Sequence, residues 1–555
     1  MNRTAFLVLF LFVLACIPFA PATAGQRPAL AGPADSLVMR KNLPSRQHDF
    51  LSPGALRSGP LCASLDRLPD FAFRLLPDTS FASTRPLHYR VFHYQNGLQP
   101  GTRLVSDDYC RVQGVLTFRG GFSRDLPVAG RVTGSPTKIT EVWQYTTNYD
   151  TTRTQYGRWG GGMGWTGQPL LVSWPDAERR AFAQMHHQFA PRMEVIAGSL
   201  SGEVYFLDMD TGTETRKPIR TGNPVKGTPM LDPRLNGLLY VGDGVPHQDE
   251  FGIHLIDLHR HEPVFFFSGH EDVKAYRRWG AFDSSPLLVG DYVYWPGENG
   301  ILYKFLVQDG VMHLVARMVY HVRGEQAAGV ESSLAVHRNY GYFADNHGNI
   351  LCVNLLTMKP VWRYDNRDDT DATLVLDVEG GIPYLYSGSE VDRQGKEGYS
   401  RLVKLHGLDG SLIWENKVPA YHAEHYGREF PGGMFATPLL GRKQANGMLY
   451  VNIAHLDEDG GGALLALDTS TGEILFQTPL QAYSWSSPAG FYNEAGELFV
   501  FTADAVGNIY LLDGSNGQVL FRKRAGRNFE ASPAIWGNSV IIGSRGREIY
   551  RFDLE

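Results

Sequence analysis

The stretch 462–476, GALLALDTSTGEILF, recurs in altered form along the chain, and this repetition restricts the fold more than any other feature. Apolar Leu464, Leu465 and Leu467 lead into Asp468; a Thr471-Gly472 turn follows, and a second short apolar run ends on Phe476. That order reads as strand, tight turn, strand. Gly472 suits a turn position with positive φ, and the Asp and Thr side chains before it can bond the turn's own backbone. Relatives of the phrase stand at 204–212 (VYFLDMDTG), 253–258 (IHLIDL), 350–362 (ILCVNLLTMKPVW), 403–414 (VKLHGLDGSLIW) and 509–521 (IYLLDGSNGQVLF). One such unit cannot bury its apolar faces alone, so the units must stack on one another.

From about residue 114 each unit opens with a Ser-Pro or Thr-Pro step or its equivalent. The openings are Gln168-Pro169, Thr228-Pro229, Ser285-Pro286, Ser333-Leu334, Thr373-Leu374, Thr437-Pro438, Ser487-Pro488 and Ser532-Pro533. A strand ending in Tyr-x-Gly or its like comes next, as in YVYWPGENG from Tyr292, and the strand-turn-strand phrase closes the unit. Four short antiparallel strands at intervals of roughly 45 to 60 residues are the mark of propeller blades. The eighth unit stops at Asp553 without a closing strand, whereas TKITEVWQY at 137–145 is a strand without a unit. The expected fold is therefore all-β: an eight-bladed β-propeller whose N-terminal strand completes the last blade, removing the free sheet edges. The expected organisation is a signal peptide at 1–24, an irregular leader at 25–113 and the propeller at 114–555.

The A-x-D-x-x-T-G-x-x-x-W pattern, carried by Ala466, Asp468, Thr471 and Gly472 with Phe476 in the Trp place, resembles the repeat of pyrroloquinoline-quinone-type eight-bladed propellers. The resemblance covers roughly residues 114–555. It implies that Trp143, Trp362, Trp414, Phe476 and Phe521 dock between neighbouring blades. This superfamily holds quinone-dependent dehydrogenases and also non-catalytic members, such as the propeller lipoprotein of the outer-membrane β-barrel assembly machinery. No adjacent cysteine pair occurs here, although alcohol-oxidising quinoproteins commonly carry one, and no haem-attachment motif supplies an electron acceptor.

The residue three before each opening Pro or its replacement should face one mouth of the central channel. These residues are Thr166, Lys226, Asp283, Glu331, Asp371, Phe435, Trp485 and Glu530. Four carboxylates, one ammonium and two aromatics on one axis suit a cation, an amine or sugar, or a quinone stacked on Trp485. A water-filled polar channel end would have the same composition. The expected function is a non-catalytic scaffold that binds a protein or glycan partner in the cell envelope, with no cofactor. The alternatives are an oxidoreductase using pyrroloquinoline quinone and calcium at the mouth, and a sugar-binding or polysaccharide-processing propeller suggested by the aromatics at 156–165 and 276–279.

Weaker signals are absorbed by the repeat. The Gly-rich run 162–167 lacks the strand and helix of a dinucleotide site. DMDTGTE at 208–214 is the repeat's own turn, and His186, His187, His422 and His425 fall in loops between strands. A formal charge of −6 over 555 residues gives no reason to expect nucleic acid as partner.

Arg3, the apolar run 5–20 and Ala22-Thr23-Ala24 form the n-region, h-region and cleavage site of a secretory signal. Val13-Leu14-Ala15-Cys16 offers a looser lipoprotein box, so a lipid anchor at Cys16 is the lesser alternative to release into the periplasm or medium. Export permits disulfides. A Cys62–Cys110 bridge would pin the leader, while Cys352 occupies the small-residue slot of a packed strand, where Ala466 stands in its own unit. N-terminal sequencing of the exported protein should begin at Gly25; a blocked N-terminal Cys16 bearing acyl chains would establish the lipoprotein reading instead.

Overall fold

In a computed structural model, the described residues are 39–41, 87–94, 107–125, 129–165, 167–186, 192–308, 310–322, 325–425, 428–457 and 459–555. They form eight antiparallel blades arranged as a β-propeller. Blade 1 comprises Leu170–Ser173, Met193–Gly198, Glu203–Asp208 and Glu214–Arg220, from the channel outwards. Blade 8 comprises Ala534–Trp536, Ser539–Gly543 and Glu548–Leu554, and Ile139–Thr146 supplies its outer strand. The N-terminal strand thus closes the ring, as expected from the orphan TKITEVWQY segment.

The docking aromatics follow one rule. Trp143, Trp362, Trp414 and Phe476 each pack on the turn glycine of the next blade, and each Trp also donates its indole N–H to a carbonyl there. Trp143 bonds Met209 O and covers Gly212; Trp362 bonds Gly407 O and covers Gly410; Trp414 bonds Thr469 O and covers Gly472. Phe476 covers Gly517. These glycines have φ of 70° to 76°, and a Cβ on Gly472 would lie 2.5 Å from the Trp414 ring, so conformation and space both require glycine. Phe521, on the outer strand of blade 7, is half-buried against a core cluster drawn from blades 7 and 8.

The opening residues build a second ring around the channel. The Gln168 N–H donates to Thr228 Oγ1, Ser285 to Ser333 Oγ, Ser333 to Thr373 Oγ1, Thr437 to Ser487 Oγ, and Ser487 to Ser532 Oγ. The Ser532 N–H reaches Gly167 O, returning to blade 1. Hydroxyls at five of the eight openings therefore satisfy an inner amide of the preceding blade, which is why Ser and Thr recur there.

Residues 107–125 run along the channel itself. Gly114–Val115 pairs with the inner strand of blade 1, and carbonyls of Leu116, Phe122 and Ser123 accept from Leu231, Val336 and Leu376 of blades 2, 4 and 5. Two arginines complete this plug. Arg119 donates to Arg124 O, Pro488 O and Pro438 O (3.1, 3.1 and 2.6 Å), reaching blades 6 and 7. Arg124 donates to Leu334 O, Phe118 O, Thr117 Oγ1 and Ser285 O, reaching blades 3 and 4. Both side chains are fully buried, and burial pulls each guanidinium down to about 10. Both residues also have left-handed φ (51° and 56°), a conformation that costs about 1 kcal/mol each outside glycine. Neighbouring Asp125 pairs with Arg442 of blade 6 at 2.8 Å.

Cys110 lies on a short 3-10 turn, Asp108–Arg111, capped by the Asp107 carboxylate, which accepts from the Tyr109 N–H. Cys62 lies outside the described residues, as do the signal segment, Cys16 and most of the leader. Three strands from outside the repeat units also join blades, the first two of them from the expected leader. Met39–Lys41 adds an outer strand to blade 2, Leu87–His93 one to blade 3, and Ala129–Arg131 an inner parallel strand to blade 7. Cys352 is buried between Tyr342 and Trp362 on adjacent strands. Replacing Arg119 by Met should lower stability by about 3 kcal/mol, because buried carbonyls of two blades lose their donor. Urea unfolding would measure it, and a loss below about 0.5 kcal/mol would mean that the plug does not hold the ring.

Candidate functional site

Above the plug, the opening loops bring most of the anticipated mouth residues together. Thr166 lies outside the described residues; the other seven are placed. They divide the mouth into an acidic arc on blades 3 to 5 and an aromatic arc on blades 6 and 7.

The acidic arc holds two carboxylate triads. Asp283, Glu298 and Glu331 form one; Asp369, Asp371 and Glu390 form the other, each with ligand atoms within 4.8 Å of one another. Lys226 serves the first. Its ammonium bonds Asp283, lies 3.7 Å from Glu331, and sits 5.9 Å from the Trp165 ring centroid. Burial, with Glu331 adding repulsion, pushes Asp283 up to about 7 even against the pull of Lys226. The same two causes hold Glu298 well above the usual carboxylate range.

The second triad has no ion pair with any Lys or Arg among the described residues. Burial first, then mutual repulsion and the field of Glu331, raise Asp369, Asp371 and Glu390 far above ordinary carboxylates. All three are buried, and Asp369 Oδ1, Asp371 Oδ1 and both Glu390 oxygens lack a hydrogen-bond partner. The backbone beneath them is rigid. The Asp369 N–H donates to Asp368 Oδ1, the Glu390 N–H to Asp369 O, and the Thr370 hydroxyl to Asp368 O. Asp368 in turn accepts from the backbone of Arg393 and the side chain of Gln394.

Glu298, Asp369 and Glu390 were not anticipated from the openings. Glu298 and Glu390 follow the second strand of their blades, in PGE and SGSE, and aligning those strand ends would have exposed them. At that place in blades 4 and 7, Asp345 and Asp504 instead bond Asn349 and Asn508 four residues on. In blades 3 and 5 the longer Glu joins a triad at the mouth.

Trp485 and Phe435 carry the aromatic arc, with ring centroids 4.8 Å apart; Trp165, Phe430 and Tyr483 pack around them. Glu530 closes the circle, accepting from Asn528 at 2.9 Å and lying 3.5 Å from Arg545, which covers the Trp159 ring. Burial raises Glu530 despite Arg545. The Gly-rich run is part of this rim: a Cβ on Gly162 would meet Ser544 O at 1.9 Å, so the loop threads closely between blades 1 and 8. Tyr156 and Trp279 meet edge to face (69°), and Tyr276 is exposed. His422 contacts Val391 O on a loop beside blade 5, and Asp208 Oδ1 accepts two amides of its own turn.

Residues 460–555 match the family model described as "Outer membrane protein assembly factor BamB". A curated relative, the quinoprotein alcohol dehydrogenase PedH of Pseudomonas putida, is 26% identical over 156 residues, 28% of this chain. The chain spans only about a quarter (24%) of that relative's length. Among solved structures, the quinohemoprotein alcohol dehydrogenase from Comamonas testosteroni matches with a TM-score of 0.55 and 13% identity, over 79% of this chain and 80% of the other. A europium-containing methanol dehydrogenase matches at 0.51 and 14%, over 79% and 98%. Identities this low bear on the fold alone.

The second triad gives the mouth a pH signature. Its carboxyls hold their protons to higher pH when folded than when unfolded, so their contribution is complete below about pH 4 and lost as pH rises through the folded values. Asp371→Asn fixes the neutral form. In chelator-treated buffer, melting temperature should fall more steeply for the wild type than for Asp371→Asn between about pH 5 and pH 8. Parallel profiles would contradict this assignment.

Proposed function

We propose that this chain, which belongs to the pyrroloquinoline-quinone-like family of eight-bladed propellers, acts as a non-catalytic binding scaffold of the cell envelope. The observation that carries this reading is the charge of its mouth. Pyrroloquinoline quinone bears three carboxylates and needs cations to receive them. Here it would face six carboxylates of blades 3 to 5, while Lys226 is engaged by Asp283 and Glu331 and Arg545 by Glu530. These residues fit the quinone poorly. A rigid ring with its channel plugged suits display of loops to a partner, and the secretory signal and the match over 460–555 favour the envelope as its place. The partner class is a protein or a glycan. Against a stacked sugar platform, Tyr156 and Trp279 meet edge to face.

One observation favours the oxidoreductase as second reading: the donor set of Asp369, Asp371 and Glu390 fits a hard cation such as calcium. A metal there would offset part of the repulsion and supply Lewis-acid polarisation of a bound carbonyl.

Titration of the mature protein with pyrroloquinoline quinone, with and without calcium, separates the two readings. The scaffold predicts no saturable tryptophan quenching up to about 100 µM quinone and no reduction of an artificial electron acceptor by alcohols. Calcium-dependent quenching that is lost in Asp371→Asn would establish the oxidoreductase.

A further inference from the structure

We infer that the mouth binds a primary ammonium group, its charge on Asp369, Asp371 and Glu390 and its carbon chain on Phe435 and Trp485. The inference deepens the scaffold reading and rests on it.

The two triads stand side by side and both feel Glu331. The first is occupied by an ammonium of the chain itself: Lys226 reaches in, bonds Asp283, approaches Glu331 and passes over the Trp165 face. The second has the same make-up, three carboxyls within 4.8 Å, yet pairs with no Lys or Arg among the described residues. Glu390 is 1% exposed and its carboxylate finds no donor from outside the triad, a costly arrangement unless a cation or protons meet it.

The surface beside the second triad decides the kind of cation. Glu390 pairs with Gly433, and the Met434 N–H donates to Ser389 O, so the strand paired with Glu390 is the one that runs on to Phe435. Phe435 and Trp485 then present a tilted pair of rings, 4.8 Å apart, both almost wholly buried. A calcium ion seeks about six to eight oxygens and gains nothing from such a wall. An alkylammonium uses both parts: three N–H donors for three carboxylates, charge attracted to ring faces, and methylenes against apolar surface. The same group comes from a free alkylamine or from a lysine side chain of a partner protein, and the two differ only at the far end of the carbon chain, where the lysine carries a peptide backbone.

Isothermal titration of the full mature protein would test this with n-hexylammonium, an end-blocked lysine tripeptide, n-hexanol and calcium chloride. Saturable binding of hexylammonium is expected, with hexanol at least about tenfold weaker. Glu390→Gln and, separately, Phe435→Leu should each weaken it by about tenfold, with circular dichroism confirming that both variants are folded. Tighter binding of the tripeptide would assign the site to a partner's lysine, and tighter binding of hexylammonium to a free amine. Absence of amine binding at about 1 mM, hexanol equal to hexylammonium, or unchanged binding in folded Glu390→Gln would overturn the inference. So would calcium binding that hexylammonium cannot displace. The scaffold reading fails separately, through quinone binding and acceptor reduction.

Discussion

The two arginines in the channel are the constraint around which the rest of this ring is arranged. A propeller has a hole along its axis, and eight inner strands leave carbonyls facing it. Here Arg119 and Arg124 meet those carbonyls with donors spread over four blades, while the opening hydroxyls carry amides from blade to blade around them. Two cations buried among neutral carbonyls are tolerable because nearly every N–H finds an acceptor. Filling the axis in this way turns a tunnel into a cup. The mouth has a floor of protein, and its side chains can be held close enough to perturb one another's charge.

That proximity explains the mouth's division. Six carboxylates in water would repel weakly; beneath loops and beside aromatic rings they cannot all ionise without a counter-charge. Lys226 settles one triad, and the other keeps its protons or takes a cation from outside. The aromatic arc intensifies the effect by excluding water from one side. The proposed affinity for positive charge and the poor fit of these residues to a polyanionic quinone thus rest on one cause.

The repeat was readable because its determinants are local. Asp468, Thr471 and Gly472 define their turn within five residues, and the docking aromatic follows its own unit's turn glycine at a fixed distance, as Trp414 follows Gly410 and Phe476 follows Gly472. The opening Ser and Thr residues were readable for the same reason, and they pointed to the mouth. The plug was not. Nothing around Arg119 or Arg124 distinguishes them from solvated arginines, since their acceptors on the blades lie 161 to 369 residues away. Glu298 and Glu390 were missed for a different reason: the openings alone were aligned, and the ends of the second strands, which also reach the rim, were not.

The plug also fixes an order of events. Arg119 waits for carbonyls 319 and 369 residues downstream, and the outer strand of blade 8 waits for the very end of the chain. Contacts of such separation make folding slow and place the decisive step after the last residue is available. A chain built so cannot close its ring before blade 8 has been made. The contacts that lock the finished ring are thus the last to form, and they leave the partly made chain open.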